Sequence, residues 1–517
     1  MRHQEKSDIW SNVHIPILAI TIVFISIFCL WALADLASLS KVIDVSFAFS
    51  VKFFGLYWQI LLLATFLISL ILCFFPGSKA IMGNMEKPEF TMFQWSAMVM
   101  CTLLAGGGVF WAAGEPMAHY MSTPPLFAEY NGIFSTDTNA KAWYAFAQAY
   151  LHWGFLAWAI LGSLTAPILM YYHYEKGLPL APRTLLYPLL KEKALHGPFA
   201  WIVDSACIIA VMAGTVGPIG FLGLQVAYGL DELFGLANTF AIQAVVILVL
   251  MSIYIISSLT GLTRGIKYLS QVNIVLGVGL LVFMLIFGAT LFIVQGFYKG
   301  EAVMISQFFQ MTLFRGDKDW LGWWTVFFWG WFLGYGPLMA MFIAKVSRGR
   351  SIRSIIILMS IVAPLITNLW FTIIGGNGIF LDITQNGIVS QAMEGFNLPA
   401  ALLAITQNMP FGFIVSLLFL ILTTIFVATT GDSMTYTIAV SSSKNQEDPS
   451  RFVRLFWGVA MGIMALILVK IGNGSVGKLQ NFIVITAVPV SLILLPSLWD
   501  CVHIVWLKGK EQKQNNQ

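Results

Sequence analysis

Eight aromatic rings fall between residues 323 and 335: Trp323, Trp324, Phe327, Phe328, Trp329, Trp331, Phe332 and Tyr335. Two more tryptophans, Trp153 and Trp158, lie in the middle of another apolar run. A ring face attracts a cation through its quadrupole, at ~0.5–2 kcal/mol per face once water is excluded. Quaternary ammonium carries no hydrogen-bond donors, so several rings can replace part of its hydration without a fixed negative charge. Trp153 and Trp158 are five residues apart, ~140° around a helix of 3.6 residues per turn. Either the helix bends between them or only one of them faces the pocket. Single tryptophans elsewhere in the chain read as interfacial belt residues.

A second constellation is built from oxygen. Thr429 and Thr430 are followed by Gly431, Asp432 and Ser433 inside an apolar run. A small hard cation such as sodium takes several oxygens, from hydroxyls and from carbonyls freed where a helix unwinds. The competing reading is that each hydroxyl bonds back to its own helix. Asp432 either packs and caps or helps to hold an ion; Asp204 is a second carboxylate near the start of a span. No chain of carboxylates or histidines crosses the apolar runs, which argues against a proton relay. No Ser/His or Asp/Asp pair and no HExxH pattern argues for an enzyme. The five cysteines are scattered, with neither disulfide nor metal-ligand spacing.

These residues need elements to position them, and composition names the kind. Of 517 residues, 58% are apolar and 10% charged, against ~25% charged in soluble domains. With a mean hydropathy of +0.82, this excludes an ordinary soluble enzyme, a disordered chain and a DNA-binding domain. A net charge of +4 favours neither nucleic acid nor acidic partners. A bilayer core needs about 20 apolar residues per helix. Twelve runs qualify: 16–36, 52–75, 93–114, 142–173, 199–226, 237–259, 266–294, 321–345, 354–375, 411–441, 452–471 and 480–505. The first is long enough to span and lacks a cleavage site, so it reads as a span, not a signal peptide. Stretches 301–315 and 389–405 are shorter and amphipathic, fit to lie at the interface or against the bundle. With both termini cytoplasmic, 20 of the 28 Lys and Arg fall on the cytoplasmic side, led by Arg348, Arg350 and Arg353; positive charge marks the inside.

Two runs are poor helix formers. The third carries Gly106, Gly107, Gly108 and Gly114 before Glu115-Pro116; the eighth carries Gly330, Gly334, Gly336 and Pro337. Matching broken helices five spans apart point to a secondary transporter with inverted repeats, whereas glycines that only permit close packing would point to nothing. The reading is an all-α polytopic membrane protein of twelve transmembrane helices with two inverted five-helix repeats. Its expected division is 1–92 for a tail and two extra helices, 93–294 for the first repeat, 295–320 for an amphipathic connecting helix, 321–505 for the second repeat and 506–517 for a short cytoplasmic tail.

The chain resembles the betaine/choline/carnitine transporter family from about residue 50 to 500. The resemblance rests on Phe110-Trp111 with Glu115-Pro116, His152-Trp153-Gly154 with Trp158, the run Trp323 to Trp329, and the stretch from Phe342 to Arg353. It implies a LeuT-like fold, usually a trimer, in the cell (inner or plasma) membrane, and an onium substrate held in an aromatic box. Trp153, Trp158 and Trp331 match the box walls, and Phe332 and Tyr335 match neighbours on the pathway. The family often has a tyrosine where this chain has Leu161. It further implies two sodium sites, one from carbonyls at Cys101, Leu104 and Phe426 with the hydroxyls of Thr429 and Thr430, the other using Thr215. The sodium-independent branch has an arginine where this chain matches Asn273. Choline-accepting members tend to carry an aspartate at the position of Gly107, so its absence favours a zwitterion such as glycine betaine or dimethylsulfoniopropionate.

The expected activity is therefore sodium symport of an onium zwitterion by alternating access, with sodium as coupling ion, no other cofactor, membrane lipid as surroundings and no nucleic acid partner. The alternatives are a sodium-independent carnitine/betaine exchanger, a choline or methylated-amine carrier, and an aromatic-gated channel. A tail of only 507–517 leads us to expect little osmotic sensing.

Overall fold

Lipid offers a peptide group no hydrogen-bond partner, so a chain this apolar satisfies its backbone within helices. A computed structural model describes residues 13–85, 87–104, 107–260, 267–444 and 449–515, with the side chains of 101–104, 260, 267–270 and 515 left undescribed. Among the described residues every regular element is a helix, apart from isolated bridges such as Ile81 to Ser351.

The first part of the chain forms α1 (Ile15–Ala34) and α2 (Leu36–Cys73), separated by Asp35, whose carboxylate accepts from Ser38 N–H at 2.9 Å. There follow α3 (Met92–Leu104), α4 (Gly108–Met121), α5 (Ala140–Trp153) and α6 (Phe155–Gly162). Next come α7 (Gly197–Phe234), α8 (Phe240–Thr260), α9 (Lys267–Phe287) and α10 (Thr290–Ser306). The later part has α11 (Phe327–Val346), α12 (Ala363–Thr384), α13 (Gly412–Ser441), α14 (Arg451–Ile471), α15 (Gly477–Leu494) and α16 (Ser497–Asn515). Helix α7 has 38 residues, ~57 Å at 1.5 Å per residue, longer than the ~30 Å hydrocarbon core. It stops at Gly235, whose φ of +69° supplies the left-handed cap.

Ten helices among the described residues are long and apolar enough to cross a membrane, or eleven if the bent pair α9–α10 counts as one. The third expected span is divided between α3 and α4, of 13 and 14 residues, each too short to pass that test alone. The seventh ends earlier than its apolar run: the chain turns by 106° between Phe287 and Thr290, so α10 leaves the line of α9. The windows containing α5, α7 and α11 are 94% buried, whereas α1 and α8 are 28% and 33% buried. The first set forms the interior and the second faces outward.

One expectation is corrected. The eighth span is not broken at its glycines and proline: α11 runs unbroken from Phe327 to Val346, with Pro337 inside it, and its irregular stretch is a π-turn at Gly322–Val326. The glycines serve packing: a Cβ at Gly330 would lie 2.8 Å from the Trp58 ring, and one at Gly336 3.1 Å from Leu494. The basic cluster does more than mark a side. Arg348 donates to Gly83 O at 3.2 Å, Arg350 to Phe90 O at 2.5 Å and Arg353 to Phe75 O at 3.2 Å, stapling the loop between α2 and α3.

Candidate functional site

Trp331 is fixed by a proline in another helix. Pro218 has no N–H, so the carbonyl four residues earlier in α7, that of Gly214, loses its helical donor. Trp331 Nε1–H donates to Gly214 O at 3.0 Å. The far edge of the ring reaches the gap between α3 and α4: a Cβ on Gly107 would lie 2.6 Å from Trp331 Cη2. Glycine is therefore required by close approach at Gly107, and equally at Gly214, where a Cβ would overlap the Tyr335 ring. The third span is broken as expected, α3 ending at Leu104 and α4 starting at Gly108. Trp370 of α12 donates to Gly108 O at 2.9 Å, at the first residue of α4.

Around Trp153 the rings converge from three helices. Its centroid lies 5.8 Å from Trp331 and 5.5 Å from Phe332, both edge-on, 5.3 Å from Phe328 and 5.0 Å from Phe371 of α12. The two expected tryptophans of the fourth span are reconciled by a break at Gly154, where φ −93° and ψ −129° leave the helical range. Trp158, on α6, donates to Thr367 Oγ1 at 2.9 Å. Thr367 and Phe371 are one turn apart on α12, so Trp153 and Trp158 meet the same face of that helix although an unbroken helix would separate them. Leu161 is fully buried. Of the eight clustered rings, Phe328, Trp331, Phe332 and Tyr335 reach this centre or its border, while Trp323 is 44% exposed.

A buried polar hub beside the rings escaped the sequence reading. Glu115 Oε2 accepts from Trp153 Nε1–H at 2.7 Å, and Oε1 is 2.5 Å from His152 Nδ1 and 3.3 Å from His119 Nε2. One proton lies between Glu115 Oε1 and His152 Nδ1, and the other ring nitrogen, Nε2, is 2.9 Å from Thr325 Oγ1 and 3.0 Å from Gln148 Nε2. The hub thus orients Trp153 and ties α4 and α5 to the π-turn before α11. The signal was present, because Glu115-Pro116 interrupts an apolar stretch and His152 adjoins Trp153. The three ligating atoms of Glu115, His119 and His152 lie within 4.8 Å of one another. Their mutual hydrogen bonding accounts for that spacing.

The oxygen constellation is partly assembled. Thr430 Oγ1 is buried with no partner among the described residues, whereas Thr429 Oγ1 donates back to Ile425 O at 3.0 Å and Phe426 O at 3.1 Å. Phe426 lies under Trp370, ring centroids 6.4 Å apart, and α3 lies against α13. Cys101 and Leu104 end α3, but their side chains lie outside the described residues. Thr215 Oγ1 bonds Val211 O at 2.8 Å and sits 3.1 Å from Tyr335 OH, which joins it to the aromatic region and not to Thr430. Asp432 accepts from Ser257 of α8 at 2.5 Å, and Asp204 pairs with Arg183. Asn273 is buried, with Oδ1 unpartnered.

An all-helical polytopic membrane protein with a ring-lined centre joining its fourth, eighth and ninth spans is the class that fold and site define. The chain belongs to the betaine/carnitine/choline transporter family, whose model matches residues 16–510; it is a transporter and not an enzyme. It is 51% identical to glycine betaine transporter 2 of Vibrio parahaemolyticus serotype O3:K6 (strain RIMD 2210633), over 96% of this chain and 91% of the relative. It is 32% identical to the glycine betaine transporter OpuD of Bacillus subtilis (strain 168), over 94% and 92%. It is 29% identical to an ectoine/hydroxyectoine transporter of Virgibacillus pantothenticus, over 91% and 92%.

Proposed function

We propose that the protein imports glycine betaine, or a closely related onium zwitterion, by sodium symport with alternating access. The observation that carries this reading is the meeting of Trp153, Trp331, Phe332 and Phe371 rings at 5.0–5.8 Å from the Trp153 centroid. Ring faces receive the methylated head, and Glu115 holds the Trp153 indole by its N–H, which pushes electron density toward the face that meets the cation. The zwitterion's carboxylate is received by N–H groups at the start of α4, next to Gly107, where a helix N-terminus favours anions. Trp158, Phe332 and Tyr335 serve as further wall and path.

Sodium fits the unpartnered Thr430 hydroxyl with carbonyls near Phe426 and the end of α3, at Cys101 and Leu104; Thr429 joins by turning its hydroxyl off its own helix. Thr215 serves a second ion beside Tyr335. A zwitterion gains nothing from voltage, whereas each sodium brings roughly 2.3 kcal/mol at 100 mV and roughly 1.4 kcal/mol from a tenfold gradient. Ion binding between α3 and α13 biases the state that accepts substrate. We place the protein in the cell membrane with both termini cytoplasmic, as a homotrimer.

The test uses purified protein in liposomes with labelled glycine betaine. Uptake should saturate and require an inward sodium gradient. Uptake unchanged when potassium replaces sodium would defeat the symport reading, and counterflow in sodium-free medium would establish an exchanger in its place.

A further inference from the structure

Helix α10 carries a buried carboxyl that neither the substrate site nor the sodium reading uses. Glu301 is 8% exposed, and its Oε1 accepts from Asn368 Nδ2–H of α12 at 2.7 Å. Among the described residues two atoms of this pair have no hydrogen-bond partner: Glu301 Oε2 and Asn368 Oδ1, both buried. Among the described residues no Lys, Arg or His pairs with Glu301; Lys299, two residues away, is held by Asp137 at 2.5 Å. On the neighbouring α5 the titratable group is Tyr150, whose hydroxyl is tied to Thr372, and Thr372 donates in turn to Asn368 O at 2.7 Å. The α10 backbone comes close because Gly300 lies on the Tyr150 ring.

The two orphaned oxygens belong to a carboxyl and a carboxamide already joined by one hydrogen bond. As an anion, Glu301 can only accept, and so can Asn368 Oδ1, so the pair is left with one hydrogen bond and a buried charge without a counter-charge. A proton on Oε2 turns it into a donor toward Oδ1. Both orphans are then satisfied in one step, the charge disappears, and the two groups close a ring of two hydrogen bonds. We propose that Glu301 is a proton-binding site, held as the neutral acid in a two-bond clasp with Asn368 that fastens α10 to α12. The clasp stands beside the substrate site. A Cβ on Gly154, at the break between Trp153 and Trp158, would lie 3.1 Å from Asn368 Oδ1, and the adjacent Thr367 is the Trp158 anchor. Loss of the proton leaves two acceptors facing each other and loosens α12 where it holds both tryptophans.

Glutamine separates this from an anionic role, because a Gln–Asn pair makes the same two-bond ring without a proton. In liposomes, Glu301→Gln should transport within about twofold of the parent protein, while Glu301→Ala and Asn368→Ala should each lose about tenfold or more. Infrared spectra of the unmodified protein at neutral pH should contain a protonated-carboxyl C=O band that is missing from Glu301→Gln; this readout needs no transport and a merely structural role does not move it. The proposal is overturned if Glu301→Gln is as impaired as Glu301→Ala, which would mean an anion holding a cation. It is equally overturned if the spectra of the two proteins share the same carboxyl bands.

Discussion

The third and eighth spans have similar glycine and proline content and opposite fates. Between Leu104 and Gly108 the third is divided, and an indole from α12 donates to the first carbonyl of α4. The eighth keeps one helix from Phe327 to Val346, its glycines filled by the Trp58 ring and Leu494. Glycine permits both outcomes, and neither a waiting donor nor apolar bulk selects between them alone: the third span opens although the Trp331 ring lies against Gly107, and α7 stays wound although Trp331 donates to its Gly214 carbonyl. The fourth span breaks at Gly154, over the Asn368 amide.

The largest expected effect sets the two spans directly against each other. Gly107→Ala puts a methyl 2.6 Å from Trp331 and should weaken substrate affinity by about tenfold or more, ~1.4 kcal/mol. Gly334→Ala, whose nearest neighbour is at 3.6 Å, should change it less than about twofold, within the ordinary range of tolerated substitutions. Equal effects in a binding titration would break the comparison.

Trp370→Phe removes the donor to Gly108 O and should cost about fivefold in transport, one hydrogen bond of ~1 kcal/mol. Trp58→Phe loses no such bond, since the Trp58 indole N–H has no partner, and uptake assays on both variants should rank them in that order. Thr430→Val keeps the shape and removes the unpartnered hydroxyl; the sodium concentration for half-maximal uptake should rise several-fold, with thermal stability unchanged or higher. An unaltered sodium titration would detach Thr430 from the ion. The smallest effect lies outside the spans. Burial alone would raise the Asp137 carboxyl, but the Lys299 ammonium and the Asn139 N–H outweigh it and hold it below the usual carboxylate range. Its stabilisation is present above the unfolded value of ~3.9 and is lost as pH falls through the lower folded value. Lys299→Met should flatten that acid limb of a melting-temperature profile by about 0.5 kcal/mol, as for a partly exposed pair.

That rings gather around Trp153 and Trp331 was largely legible, because they concentrate in two short apolar stretches. The Glu115 hub was not, since a single carboxylate next to a proline reads equally as the end of a helix. Its role depends on His119, His152 and Trp153 arriving from two helices. Thr429 and Thr430 are adjacent and chemically identical, yet one is consumed by its own helix and the other left open. Rotation about the helix axis distinguishes them, and composition contains no trace of it.

By itself the sequence determined that this is a polytopic helical membrane protein. Apolar runs of bilayer length must satisfy their backbone within helices, and the clustered rings are plain in the order of residues. Only the tertiary structure decided which glycine-rich span opens, which face of α12 both tryptophans of the fourth span meet and which carboxyl is a hub. Those outcomes depend on what a second helix brings within hydrogen-bond reach, and contacts such as Trp331 with Gly214, 117 residues apart, are fixed by packing and not by spacing along the chain.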